Sequence, residues 1–360
     1  MIPGNLPEYV ERGGRQVWRA PYTARRAKLF GFVLDASAES IDLLLDRDFN
    51  DPAGNAVDYC CAHPSVVIVF GAIDRLASGD PRDQGRGYLT ELEVSVWCLA
   101  ADTLAGNRLV WYMPYVFVDP GQAVASGREV YGYTKQMGIF EPNYPDNLEK
   151  GGTTTVRALA IDPFGPDEKA VPRPTLSVDN AGGPHAPGGF GDLLQLFMGG
   201  LGISEERPSG PGPRASGAIT PAGVPPPRRA AARSIPAWAG RRVINTLARR
   251  GQIDSADQLI ESMMMDPTLV FLKQFRDVAC STKACYQAIV EAPLNVDPMT
   301  ASYTSLDPQA FTITIQDWAS HPIASDLGLQ PRSPLGPELA FAAEVDFDIE
   351  LGVEVWRAPT

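Results

Sequence analysis

Three histidines among 360 residues, His63, His185 and His321, are a small stock that narrows the chemistry. A zinc site built on several histidines is not expected. A serine-hydrolase triad would need one of the three, and no Gly-x-Ser-x-Gly is present to pair with it. His63 and His321 each precede a proline and His185 lies in the loop GGPHAPGG, so all three read as structural or surface residues. Cysteine is equally sparse. Cys60, Cys61, Cys98, Cys280 and Cys285 are odd in number, lack metal-ligand spacing and do not read as a disulfide framework. No metal is expected.

Positive charge is in deficit, with 31 Lys and Arg against 43 Asp and Glu and a net charge of -12. That balance argues against sequence-independent nucleic-acid binding, which needs a basic surface to displace counterions. Long hydrophobic runs are also missing. The stretch from Ser65 to Ile73 is far shorter than the roughly 20 residues that cross a bilayer. The opening MIPGNLPEYVERGGRQVWRA has no apolar run, so no export signal is expected and the cytoplasm is the default location. No Gly-x-Gly-x-x-Gly or phosphate loop follows a strand pattern, and no nucleotide or other organic cofactor is expected.

What the chain does hold is strand pattern. HPSVVIVFGAI, TELEVSVWCLA, NRLVWYMPYVFVD and TTTVRALAID are β-branched or aromatic runs bounded by Gly, Asp, Pro and Asn. AESIDLLLDRDF has helical spacing at Ile41, Leu44 and Leu45 after a Ser/Asp start. Residues 163–236 are dense in Pro and Gly and read as an insert, partly disordered. Residues 237–265 read as helices carrying Arg241, Arg242, Arg249 and Arg250 beside an apolar stripe, suited to a lid or a subunit contact. The Met263–Met265 run there reads as packing or a flexible lid.

Strand patterns return afterwards, and Val345, Phe347, Ile349 and Leu351 share one face. Residues 1–162 and 266–360 are therefore read as two parts of one β unit. The expected fold class is mainly β (α+β), one large antiparallel barrel or sandwich with an inserted helical and loop segment.

One lysine sits outside the usual charged surroundings. Lys135 lies in GREVYGYTKQMG, residues 127–138, a run that otherwise reads as a buried strand or turn. With WYMPYVFVDPGQAVAS before it, this stretch resembles the signature of the acetoacetate decarboxylase superfamily. In that signature a strand ends in Asp and a short loop leads to Gly-Arg-Glu. An aromatic-Gly-aromatic step then precedes the Schiff-base lysine. GYLTELEVSVW resembles the family strand that carries an active-site glutamate, which falls on Glu91. DFDIELGVEVW resembles the closing strand. The likeness covers about residues 28–160 and 265–357.

The resemblance implies a β-barrel or cone whose interior holds Lys135 as imine-forming nucleophile and Glu91 as acid/base or orienting carboxylate. Tyr88, Tyr131, Tyr133 and Gln136 are expected to line the pocket. Arg128, with Glu129, is expected to hold the lysine turn or to meet a substrate anion. It further implies a homo-oligomer acting on a small oxo acid or ketone without a cofactor. A free lysine is neutral only about four times in ten thousand at pH 7, so its activation is expected from desolvation.

Three departures bear on the reaction. The family's second lysine, next to the first, is replaced by Gln136. The family's early-strand arginine falls on Val33, with Arg25, Arg26 and Lys28 nearby in sequence. A second glutamate one strand before the first is missing, and only Asp74 stands there. The expected function is therefore imine chemistry of the aldol, retro-aldol or dehydration type, or decarboxylation of an oxo acid larger than acetoacetate. Decarboxylation of acetoacetate itself, and a non-catalytic barrel that binds an apolar ligand or partner, remain as alternatives. Glu91 and Glu93 share a parity, so both could instead face solvent. Lys273, beside Phe271 and Phe275, is the rival lysine and reads as a polar-edge residue.

Overall fold

A computed structural model of the chain describes residues 6–11, 17–54, 56–141, 144–182, 267–297 and 299–359. His185, most of the expected insert and the helices expected at 237–265 lie outside the described residues. Thirteen strands form one mixed sheet. They are β1 (Tyr22–Asp35), β2 (Tyr59–Ser78), β3 (Leu89–Asp102), β4 (Arg108–Val118), β5 (Lys135–Phe140), β6 (Gly152–Ala160) and β7 (Val171–Asn180). After the segment not described come β8 (Thr268–Arg276), β9 (Ala284–Val296), β10 (Ser302–Leu306), β11 (Phe311–Ile315), β12 (Leu339–Ile349) and β13 (Val353–Arg357).

Seven of these strands pair in a closed cycle, β1–β2–β3–β4–β8–β9–β12 and back to β1. The sheet is not wholly antiparallel as the strand pattern alone suggested. Strand β4 runs parallel to both β5 and β8. Parallel neighbours need a crossover between them. For β4 and β5 that crossover is the short helix Gly121–Ser126 and the π-helical turn Gly127–Tyr131. Six residues of helix are too few to show an amphipathic period in the sequence.

Alternation along the ring strands separates two cores. Phe30, Phe32 and Leu34 of β1 join Ile68 and Phe70 of β2 and Val94 and Val96 of β3 in one cluster. That cluster takes in the helix Ala38–Leu45 through Ile41, Leu44 and Leu45, the residues its period placed inward. The opposite side chains, among them Val33, Val67, Ile73 and Leu99, build a second cluster inside the ring. Burial on both faces explains why VVIVF reads as a continuous apolar run.

Two boundaries differ from the sequence reading. Val171–Asn180 belongs to the sheet as β7, although it was expected to fall in the Pro/Gly insert. Pro172 and Pro174 are tolerated because β11 pairs only from Leu176 onward, leaving no described strand paired on that side of them, and because the β6–β7 register shifts at Val156/Arg157. Leu351 is exposed in the turn before β13, so the inward face of β12 ends at Ile349. Among the described residues, no helix is long and apolar enough to cross a membrane.

The turn before Lys135 depends on Gly132, whose φ is +91°. A Cβ there would lie 2.5 Å from the Lys273 Cα and 2.7 Å from its backbone nitrogen. Gly132→Ala therefore combines a left-handed penalty of about 1–2 kcal/mol with an overpacking penalty of about 1–3 kcal/mol. Gly85 also has positive φ but opens on free space, with nothing within 4 Å of its position. Gly132→Ala should lower Tm by several degrees more than Gly85→Ala; equal shifts in a thermal melt would show that β8 does not constrain the turn.

Candidate active site

The strand ring encloses a cavity of about 190 Å³. For scale, an apolar cavity of about 150 Å³ holds a benzene ring. Its wall is mostly hydrocarbon and aromatic, with Leu29, Ile73, Trp97, Trp111, Leu269 and Phe341 among the lining residues. Among the described residues, three charged side chains face it, Lys135, Glu91 and Glu93.

Lys135 is the first residue of β5, delivered by the crossover that follows β4. The crossover itself covers part of the cavity through Ala123, Ser126 and Gly127. Thr134 anchors the strand start by donating its hydroxyl to the Met113 carbonyl at 2.7 Å. Lys135 Nζ donates to Glu91 Oε1 at 2.6 Å and lies 3.5 Å from Glu93 Oε2. Nζ also lies 5.4 Å from the centroid of the Tyr133 ring, within range of a cation–π contact. Tyr133 is pinned behind it against Phe271, with ring centroids 3.9 Å apart.

The pair is deeply desolvated: the Glu91 side chain is 0% exposed and that of Lys135 9%. Burial pushes the Glu91 carboxyl up, and the Glu93 charge adds to this, while Lys135 opposes both; the outcome is a value of about 7. For Lys135, burial favours the neutral amine. The carboxylates of Glu91 and Glu93 outweigh burial, so its pKa lies above the ordinary lysine value. This reverses the expectation that desolvation would set the state of Lys135. The sequence reading left out the second carboxylate.

Glu93 is held in place by its own strand. Ser95 Oγ donates to Glu93 Oε1 at 2.9 Å, and Trp97 Nε1 donates to Ser95 Oγ at 2.8 Å. Residues 91, 93, 95 and 97 thus present one face of β3 to the interior. Glu91 Oε1 is taken by Lys135, whereas no described residue bonds Glu91 Oε2. An acceptor buried without a partner is uncommon and costly.

Of the side chains expected in the pocket, Lys135, Glu91 and Tyr133 line it, while Tyr88, Tyr131, Gln136 and Arg128 do not. Tyr88 has the opposite parity to Glu91 and is exposed, its ring 4.6 Å from the Arg75 guanidinium carbon. Tyr131 is buried behind the cavity wall, where its hydroxyl donates to the Ile349 and Glu350 carbonyls at 3.2 and 2.9 Å. Gln136 follows Lys135 on a strand and so points to the other face, where its Oε1 meets His321 Nε2 at 2.8 Å. Arg128 is exposed on the turn.

The basic residues before Val33 are engaged elsewhere. Arg25 pairs with Asp348, Arg26 with Asp74 and Lys28 with Glu149. Lys273 lies outside the cavity with its Nζ 5.3 Å from the Tyr286 ring centroid. The sequence reading missed Glu93 as a partner of the lysine, together with Ser95 and Trp97. Their shared parity with Glu91 was the available signal, once Glu91 faced inward.

By sequence, no family model matches the chain and no curated protein is similar to it. By structure it is similar to acetoacetate decarboxylase from Legionella pneumophila, with a TM-score of 0.54 at 10% identity over 99% of this chain and 94% of that one. It is also similar to an acetoacetate decarboxylase-like enzyme from Sphingomonas wittichii RW1, with a TM-score of 0.51 at 12% identity over 98% and 99% of the two chains. The chain has the acetoacetate decarboxylase-like fold, mainly β with a mixed sheet and few helices.

The balance of forces on Lys135 can be tested directly. Glu91→Gln removes the carboxylate that raises the lysine pKa most and leaves burial opposed by Glu93 alone. Lys135 should then titrate lower than in the unmodified protein, read from the pH dependence of its acetylation by acetic anhydride with peptide mass spectrometry. An unchanged or higher midpoint would mean that Glu91 does not hold the ammonium.

Proposed function

We propose that the chain is an imine-forming enzyme of the acetoacetate decarboxylase-like type, with the seven-strand ring acting as a barrel around the reacting carbon. The observation that carries this reading is the contact of Lys135 Nζ with Glu91 Oε1 at 2.6 Å inside an otherwise apolar cavity. The substrate is a small carbonyl compound, a ketone or an oxo acid. Lys135 is the nucleophile and Glu91 the acid/base.

The steps follow from the pair. Glu91 takes a proton from the Lys135 ammonium, and the free amine attacks the carbonyl carbon. A C–N bond forms as the carbonyl π bond breaks, and a proton passing from the attacking nitrogen to the oxygen makes it a hydroxyl. Glu91 returns its proton to that hydroxyl, which leaves as water, and a protonated imine remains on Nζ. A carboxylate poised near pH 7 suits both directions of transfer. The iminium then withdraws electrons from the neighbouring carbon. Deprotonation there by Glu91 gives an enamine, which can attack a second carbonyl or expel a β-hydroxyl. Glu93 acts by holding positive charge at Nζ and Tyr133 by shaping the wall beside it.

The aldol and dehydration routes are favoured over loss of carbon dioxide because Arg25, Arg26 and Lys28 are paired outside the cavity and none lines it. A clamp for a departing carboxylate is thus missing among the described lining residues. Acetoacetate should release little or no carbon dioxide, and brisk release in a gas-coupled assay would contradict this ordering.

Reduction with cyanoborohydride in the presence of ketones and oxo acids tests the imine itself. An adduct on Lys135, found by peptide mass spectrometry and lost in Lys135→Ala, is expected. The absence of any adduct would favour a ligand-binding ring without chemistry. Its pH profile has a sign that can be worked out. Below about pH 7 Glu91 is protonated and cannot accept the lysine proton, so the adduct rate should fall about tenfold per pH unit. Above that pH the rate should level, because transfer within the pair leaves the net proton count unchanged. In Glu91→Gln the break near pH 7 should disappear.

A further inference from the structure

Charge around the cavity points to a narrower class of substrate, an inference that rests on the imine reading above. We infer that the cavity takes an uncharged ketone or aldehyde with an apolar body and discriminates against the anion of an oxo acid. Two carboxylates and one ammonium are the charged groups among the described lining residues. Lys135 is already shared between Glu91 and Glu93, at 2.6 and 3.5 Å. No arginine or histidine lines the cavity among the described residues. The nearest candidates by sequence, Arg25, Arg26 and Lys28, are bound to Asp348, Asp74 and Glu149.

The rest of the wall reinforces the point. Gln122, Ser126, Tyr22 and Tyr303 also line the cavity, and none of these uncharged side chains can neutralise a carboxylate. Leu29, Ile73, Trp97, Trp111 and Phe341 present a surface on which a phenyl or short alkyl body is buried favourably. A 2-oxo acid would hold its carboxylate one bond from the imine carbon. That position lies beside Glu91 and Glu93, since Nζ contacts both. A third anion would then share a desolvated site with a single cation. A neutral carbonyl leaves the site with the charges it had before binding, because the iminium replaces the ammonium one for one. Glu91 Oε2, unbonded by any described residue, stays available to a hydroxyl or α-hydrogen of such a substrate.

The test uses a matched pair that differs only in a methyl group against a carboxylate, 4-phenylbutan-2-one and 2-oxo-4-phenylbutyrate. Each is trapped on the intact protein with cyanoborohydride at pH 7.5, and each rate is divided by its rate on Nα-acetyllysine to remove intrinsic reactivity. The neutral ketone should give the larger ratio at Lys135, by about tenfold or more, the size expected for one additional like charge at short range in a medium of intermediate dielectric. Glu93→Gln alters Lys135 for both compounds alike, so the reading is the quotient of the two ratios, which should shift about tenfold toward the oxo acid. A Lys135 adduct formed preferentially with the oxo acid would overturn this inference and leave the imine reading standing. A preference unmoved by Glu93→Gln would also overturn it. Absence of an adduct from both compounds would overturn the imine reading and this inference together.

Discussion

The arrangement depends on a single buried contact, the ion pair of Lys135 with Glu91 in a wall of hydrocarbon and aromatic side chains. Separating such a pair by removing one partner costs roughly 3–5 kcal/mol, because the other charge stays behind without water. The remainder of the site can be understood as what keeps the pair together. β3 supplies both carboxylates from one face, and Ser95 and Trp97 fix the second of them. Tyr133, packed on Phe271, closes the space beside the ammonium. Gly127 allows the lysine stem to pass, since a Cβ there would lie 3.0 Å from Lys135 Cδ.

The parallel junction at β4 follows from the same requirement. An antiparallel hairpin after β4 would return the chain along the neighbouring edge with no element over the ring. The crossover of helix and π-helical turn instead covers part of the cavity and then starts β5 with Lys135 pointing inward. Gly132 makes this geometry compatible with β8, whose backbone passes against the turn. Fold and site are coupled there: the residues that complete the sheet also aim the lysine.

Much of this was legible in the residues. Lys135 stood out because an isolated lysine between aromatics and glycines contradicts the ordinary wet surroundings of that side chain. Alternation in the β3 segment placed Glu91 and Glu93 together, yet parity alone does not say which face is dry. The dry face is set by β2 and β4, which flank β3. Gln136 was misplaced because adjacency in sequence was read as adjacency in the pocket, whereas neighbouring residues on a strand point apart. The same rule, applied to Tyr88 against Glu91, would have put that ring outside. Pro172 and Pro174 mask β7 in the sequence, because their tolerance depends on where the pairing of β11 ends. The balance of opposed effects on Lys135 depends on its distance to Glu93, which a sequence does not contain.

The protonation of Glu91 is the quantity on which the proposed chemistry turns. With glutamate carboxyls labelled by carbon-13, the Glu91 resonance can be assigned by its loss in Glu91→Gln and followed through pH 4 to 9. A midpoint near 7 is expected for a carboxyl desolvated beside Glu93 and opposed by Lys135. A midpoint at the ordinary glutamate value, about 4.3, would contradict the buried, proton-exchanging pair.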